Sequence, residues 1–288
     1  MNCTNLVELR MGFNNLEGHI SMLNFSKLGQ LSKLDMRKNN FCGILPRSLY
    51  SCKSLKAIRL SYNNLEVQIH PEILSLKYLS FLSLGWNKRL TNVTGAMKIL
   101  MDCKCLVVLS LASSFLGEEL PNDVEMVDFN GFQNLRILDL SSCNLGGKIP
   151  SWLSKLKKLR VLDLNHNITT GSIPTQVDRI SIELPIYYRP SVDCNTFTLL
   201  KVLDLSNNNL SGNIPDQLSY LKDVEALDLS MNHLSGKIQA STASLHFLSS
   251  FNVSYNNLQG PIPSSTQLQS FDASAFEWKI KFCGATYT

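Results

Sequence analysis

One pattern returns along the whole chain: L-x-L-x-x-N-x-L-x-G-x-I-P. It reads LDMRKNNFCGILP from Leu34, LDLSSCNLGGKIP from Leu138 and LDLNHNITTGSIP from Leu162. It returns as LDLSNNNLSGNIP from Leu203, LDLSMNHLSGKIQ from Leu227 and FNVSYNNLQGPIP from Phe251. Weaker copies start at Leu9, Ile58, Leu82 and Leu109, which makes about ten repeats. The sixth position serves as a ruler: Asn14, Asn39, Asn63, Asn87, Ser114, Cys143, Asn167, Asn208, Asn232 and Asn256. The steps between these are 25, 24, 24, 27, 29, 24, 41, 24 and 24 residues. A unit this short cannot bury its own apolar face, so coil must stack on coil.

In L-x-L the two apolar side chains point one way and the residue between them points the other. Each repeat therefore supplies one short strand with an apolar inner face. Successive strands pair in parallel. The Asn at position six turns inward, where its amide satisfies backbone groups left open by the bend. Cys143 takes that place once, and Ser114 is a weaker substitute. Gly permits the bend before I-P, and Pro fixes φ. Period and core motif together give an α/β leucine-rich-repeat solenoid, a horseshoe or superhelix with a parallel β-sheet on its concave face.

Composition agrees. Apolar residues make up 44% of the 288, which excludes a disordered chain. The net charge of +4 is too small to argue for nucleic acid. No apolar run is long enough to span a membrane. The opening MNCTNLVELR has no basic start followed by an apolar stretch, so no signal peptide is expected. Six N-x-S/T sequons nevertheless point to a secretory history: Asn2, Asn24, Asn92, Asn167, Asn209 and Asn252. Asn24, Asn92 and Asn209 are the best glycan acceptors, since Asn167 is a ladder residue and Asn252 sits mid-strand. The five His residues form no H-E-x-x-H, and no hydrolase elbow, phosphate loop, kinase signature or metal-ligand spacing occurs. No enzyme, cofactor or metal is implied.

The G-x-I-P tail marks the plant extracellular subclass, and from Leu6 to Gly284 the chain resembles the ectodomains of plant receptor kinases and receptor-like proteins. Within them it is most similar to the phytosulfokine and tyrosine-sulfated glycopeptide (PSY) receptors. That likeness rests on GEELP (Gly117–Pro121), VDFNGFQNL (Val127–Leu135), IELPIYY (Ile182–Tyr188) and SLHFLSSFNVSYNNLQGPIP (Ser244–Pro263). The resemblance implies a peptide ligand, tyrosine-sulfated in that subgroup, and a co-receptor kinase of the somatic-embryogenesis receptor kinase type. It implies a place on the outer side of the plasma membrane. Such receptors have a signal peptide, a paired-cysteine cap, more repeats, a membrane span and a kinase, so the chain reads as partial. The alternatives are a secreted protein resembling polygalacturonase inhibitors, or a non-functional receptor fragment.

The expected layout is repeats one to seven over 1–174, an insertion over 175–199, repeats eight to ten over 200–263 and a partial C-terminal cap over 264–288. The step of 41 exceeds 24 by 17 residues, the size of the insertion. In the resembled receptors an island at a similar position helps to bind the peptide. This makes Tyr187, Tyr188 and Arg189 candidate ligand contacts. On the concave face the usual outward residues are Asp, Ser and Asn. The first repeats instead place Arg10, Phe13, Arg37, Lys38, Arg59, Tyr62 and Trp86 there, cations interleaved with aromatics that suit an acidic peptide. His166 is a further candidate on the same face. The aspartates Asp139, Asp163, Asp204 and Asp228 form one column and read as scaffold. The resemblance makes Met231 and Tyr255 candidate co-receptor contacts. Cys3, Cys52 and Cys103 share one repeat position and are expected as buried thiols; Cys42, Cys105, Cys194 and Cys283 are left open between free and paired.

Overall fold

A computed structural model describes residues 3–66, 68–87, 90–127, 129–176 and 200–277. Two compact units result, Met1–Leu145 and Gly146–Thr288. Apart from its first two residues, the insertion at 175–199 lies outside the described residues, as do Tyr187, Tyr188, Arg189, Cys194 and Cys283.

In the first unit the strands Glu8–Arg10, Lys33–Asp35, Ala57–Arg59, Phe81–Ser83, Val108–Ser110 and Ile137–Asp139 pair in parallel in that order. Register follows the repeat: Leu9 faces Leu34, Leu34 faces Ile58, and so on through Leu82 and Leu109 to Leu138. A one-residue slip would turn every buried leucine to solvent, so burial locks this register. In the second unit Val161–Asp163, Val202–Asp204, Ala226–Asp228 and Ser250–Asn252 pair the same way. Leu162 pairs with Leu203, so the extra residues between them leave the register intact.

The ladder residues hold the coils together as the pattern predicts. Nδ2 of Asn63 donates to Leu60 O in its own coil (3.1 Å) and to Met36 O in the coil before (3.0 Å). Its Oδ1 accepts from Phe41 N at 3.0 Å. Asn39, Asn87, Asn208, Asn232 and Asn256 repeat this set. Ser114 manages only carbonyl contacts, to Leu84 O and Ala112 O. Cys143 donates its thiol to Leu111 O. Asn14, in the first coil, is exposed and bonds within that coil.

Beyond position six the chain bends through the G-x-I-P tail. Gly236 sits at φ 77°, where a Cβ would lie 2.5 Å from Asn213 Oδ1. The return path is a short 3₁₀ turn such as Arg47–Ser51, Ser151–Lys155 or Asp216–Tyr220. Between repeats four and five the α-helix Val93–Leu100 replaces it, capped by Asn92, and this accommodates the longer step there.

The cysteine expectation holds in part. Cys52 and Cys103 are buried, but Cys3 is exposed. Cys42 and Cys105 are free thiols. At the other end, the ring of Phe251 lies between Phe271 and Phe276, with centroids 6.0 and 5.7 Å away. Val253 N donates to Ala275 O and Tyr255 N to Glu277 O, so the segment 273–277 covers the edge that a further coil would otherwise take.

Candidate ligand-binding face

Position five of every repeat has left-handed backbone. In the first unit this holds for Phe13, Lys38, Tyr62, Trp86, Ser113 and Ser142, and in the second for His166, Asn207, Met231 and Tyr255. The chain must turn sharply here so that the position-six amide points inward. Of these, Asn207 and His166 are of the types enriched in this conformation; other bulky side chains pay a steric cost of about 1–2 kcal/mol. The rings of Phe13, Tyr62 and Trp86 are thereby thrown outward, and all three are exposed.

The charged residues named from the sequence do come together in the first unit, but not alone. Glu8 bridges Arg10 at 2.5 Å and Lys33 at 2.6 Å. The Lys33 ammonium first, and then the Arg10 guanidinium, holds the Glu8 carboxyl below its ordinary value. Asp35 stands between Arg37 and Arg59. The Arg37 guanidinium lies 4.9 Å from the Phe13 ring centroid, and the Lys38 ammonium 5.5 Å from it. Arg59 lies 4.7 Å from the ring centroid of Phe81. Arg10, Phe13, Lys33, Asp35, Arg37, Arg59 and Phe81 line a groove of about 370 Å³. Tyr62 and Trp86 stack on each other alongside. Glu8, Lys33, Asp35 and Phe81 had not been singled out. The signal was available: the residue before the first leucine (Glu8, Lys33 and Phe81) alternates outward, as does the one between the two in-line apolar residues (Asp35).

The other named residues lie in the second unit. His166 is exposed at position five. Met231 and Tyr255 occupy consecutive coils and are both exposed, with the Tyr255 hydroxyl donating to Glu277 Oε2 at 3.2 Å. The aspartate column is scaffold: Asp204 and Asp228 each accept from the N–H and hydroxyl of the serine two residues on. Asn24, Asn92 and Asn209 are exposed, whereas Asn167 is buried with its Nδ2 committed to Leu164 O. Among the described residues no His, Cys, Asp and Glu cluster could hold a metal ion, and no helix is long and apolar enough to cross a membrane.

Family models described as "Leucine Rich repeats (2 copies)" and "Leucine Rich Repeat" match residues 133–175, and 30–52 and 199–221, respectively. The chain is built of leucine-rich repeats. It is 40% identical to Receptor-like protein 3 of Arabidopsis thaliana over 148 residues, 51% of this chain and 19% of that protein. It is 40% identical to Phytosulfokine receptor 1 of the same plant over 89 residues, 31% of this chain and 8% of the receptor. The chain thus spans less than a fifth of either relative. Among solved structures it superposes on the Arabidopsis receptor kinase HAESA, in complex with the peptide hormone IDA and the co-receptor SERK1. There the TM-score is 0.72 at 28% identity, over 89% of this chain and 39% of that one. A plant ice-binding protein has the same fold, with a TM-score of 0.70 at 29% identity over 90% of this chain and 76% of that one. The chain is therefore a leucine-rich-repeat stretch similar to parts of plant receptor ectodomains. One scaffold serves different ligands, so the site has to decide among them.

Proposed function

We propose that this chain is the peptide-recognition part of a plant cell-surface receptor. The ligand lies across the exposed sheet face of the first four repeats. One observation carries this reading: Arg37 and Arg59, braced on aromatic rings, open into a groove beside the exposed Tyr62–Trp86 stack. Forked guanidinium groups suit oxyanions, and rigid rings supply contact area at low entropic cost. An acidic peptide, sulfated on tyrosine, meets both. Arg10, Phe13 and Lys38 add contacts on that face, and His166, Tyr187, Tyr188 and Arg189 are the further candidate contacts named from the sequence. A co-receptor kinase of the somatic-embryogenesis receptor kinase type docks at Met231 and Tyr255. The kinship with receptor-like proteins and the HAESA complex support this arrangement. The chain faces the cell exterior and carries glycans at Asn24, Asn92 and Asn209.

Titrating the full chain with a tyrosine-sulfated peptide and with its unsulfated twin tests the proposal. The sulfated form binds at least tenfold tighter if it holds. Equal, negligible affinity for both by a folded monomer overturns it, and inhibition of a pectinase by the same protein would favour an inhibitor instead.

A further inference from the structure

Arg37 and Arg59 compete for one carboxylate. Nε of Arg37 lies 3.4 Å and Nη1 of Arg59 3.6 Å from the same atom, Asp35 Oδ2. Both distances exceed those of a well-formed charge-assisted hydrogen bond. The Nε of each arginine is buried and has no hydrogen-bond partner. Stacking on Phe13 and Phe81 holds the two guanidinium groups where they are. Here two cations face one anion, and Arg10 and Lys33, which share Glu8, line the same open groove, so the groove carries positive charge in excess.

Other members of the aspartate column differ. Asp139, Asp204 and Asp228 each receive a serine N–H and hydroxyl from position four, and Asp163 receives the Asn165 N–H. In repeat two, position four is Arg37. Its N–H still reaches Asp35 Oδ1 at 3.3 Å, but the hydroxyl is gone and Oδ2 faces two guanidinium groups.

We infer that Arg37 and Arg59 form a subsite for a single oxyanion, with Asp35 as its selectivity element. Asp35 competes with any incoming anion for the same donors and repels it. A ligand carboxylate offers nothing that Asp35 does not already supply. A sulfate monoester offers three terminal oxygens, enough to engage both forks at once. The subsite rests on the peptide reading for its natural ligand but not for its chemistry, so small probes test it alone.

Phenyl sulfate and benzoate are titrated into the full chain and into Asp35→Asn, Arg59→Gln and Arg37→Gln variants, with melting temperatures as a check on folding. The wild type is expected to prefer phenyl sulfate at least tenfold. Asp35→Asn keeps an acceptor for the Arg37 N–H; it should tighten both probes several-fold, benzoate most, and so shrink the preference. Either arginine variant should weaken phenyl sulfate about tenfold. Unchanged or weaker binding by a folded Asp35→Asn protein, or arginine variants that bind phenyl sulfate as the wild type does, overturns the subsite. Phenyl sulfate bound through the two arginines, with no sulfated peptide bound at all, instead overturns the peptide reading and leaves the subsite standing.

Discussion

Tyr62 and Trp86 stack face to face on the open side of the sheet, their ring centroids 5.1 Å apart and their planes 7° from parallel. Both occupy left-handed backbone, at φ 56° and 60°. Asparagine suits that backbone better than tyrosine does. Relief of that strain offsets the lost stack, so Tyr62→Asn should leave stability within about 1 kcal/mol of the wild type. The same change should weaken peptide binding by roughly tenfold, about 1.4 kcal/mol. Thermal melts and calorimetric titration read the two effects separately. Retained stability without loss of affinity would remove the aromatic stack from the site.

Asn232 anchors three carbonyls, Leu205 O, Leu229 O and Ser230 O, and accepts from Leu210 N. Asn232→Ala leaves these groups unpaired in a buried place. The expected loss is about 3 kcal/mol, measured by denaturant unfolding. Ser114→Ala removes only two such bonds and should cost less.

Burial pushes the Cys103 thiol from 9.0 up to about 11, and burial, helped by Glu72, pushes the Tyr50 hydroxyl from 10.0 up to about 12. The folded state thus holds these protons more tightly than the unfolded chain does. Their contribution is fully present below about pH 9 and is lost as pH rises through 11 to 12. Alkaline titration followed by circular dichroism should show stability falling over that window. In the folded protein at pH 8, alkylation should reach the exposed Cys3 and Cys105 well before Cys52 and Cys103.

Phe276 is buried against Phe251 at the end of the last repeat. Phe276→Ala should cost about 3–5 kcal/mol locally. Since the segment 273–277 also covers the backbone edge of the final strand, hydrogen exchange should rise first at Val253 and Tyr255. Uniform loss of protection along the whole chain would contradict a capping role.

The strand register could be read directly from the leucines. Position-six asparagines and in-line leucines are demanded by burial, and burial leaves its mark on residue type. The aspartate column was legible for the same reason, since its serine partners recur two residues on. Position five was not legible as left-handed. Eight residue types occur at these ten positions, because the conformation is imposed by the bend and not by the side chain. Reading the exposed face from cations and rings alone found Arg37, Arg59, Phe13 and Trp86. It passed over Glu8, which lies before the first leucine, and Asp35, because a position-two aspartate is scaffold elsewhere; both neutralise part of that charge. Only distances in space reveal that Asp35 does a different job beside Arg37.

The central claim is that the exposed sheet face of the first four repeats is where ligand binds. A titration of the tyrosine-sulfated peptide into the wild type and into a Trp86→Ala/Arg59→Gln double variant of unchanged melting temperature tests it most directly. The account predicts a loss of affinity of at least 100-fold, about 2.8 kcal/mol, in the variant. Equal affinity in the two proteins would place the ligand elsewhere and contradict it.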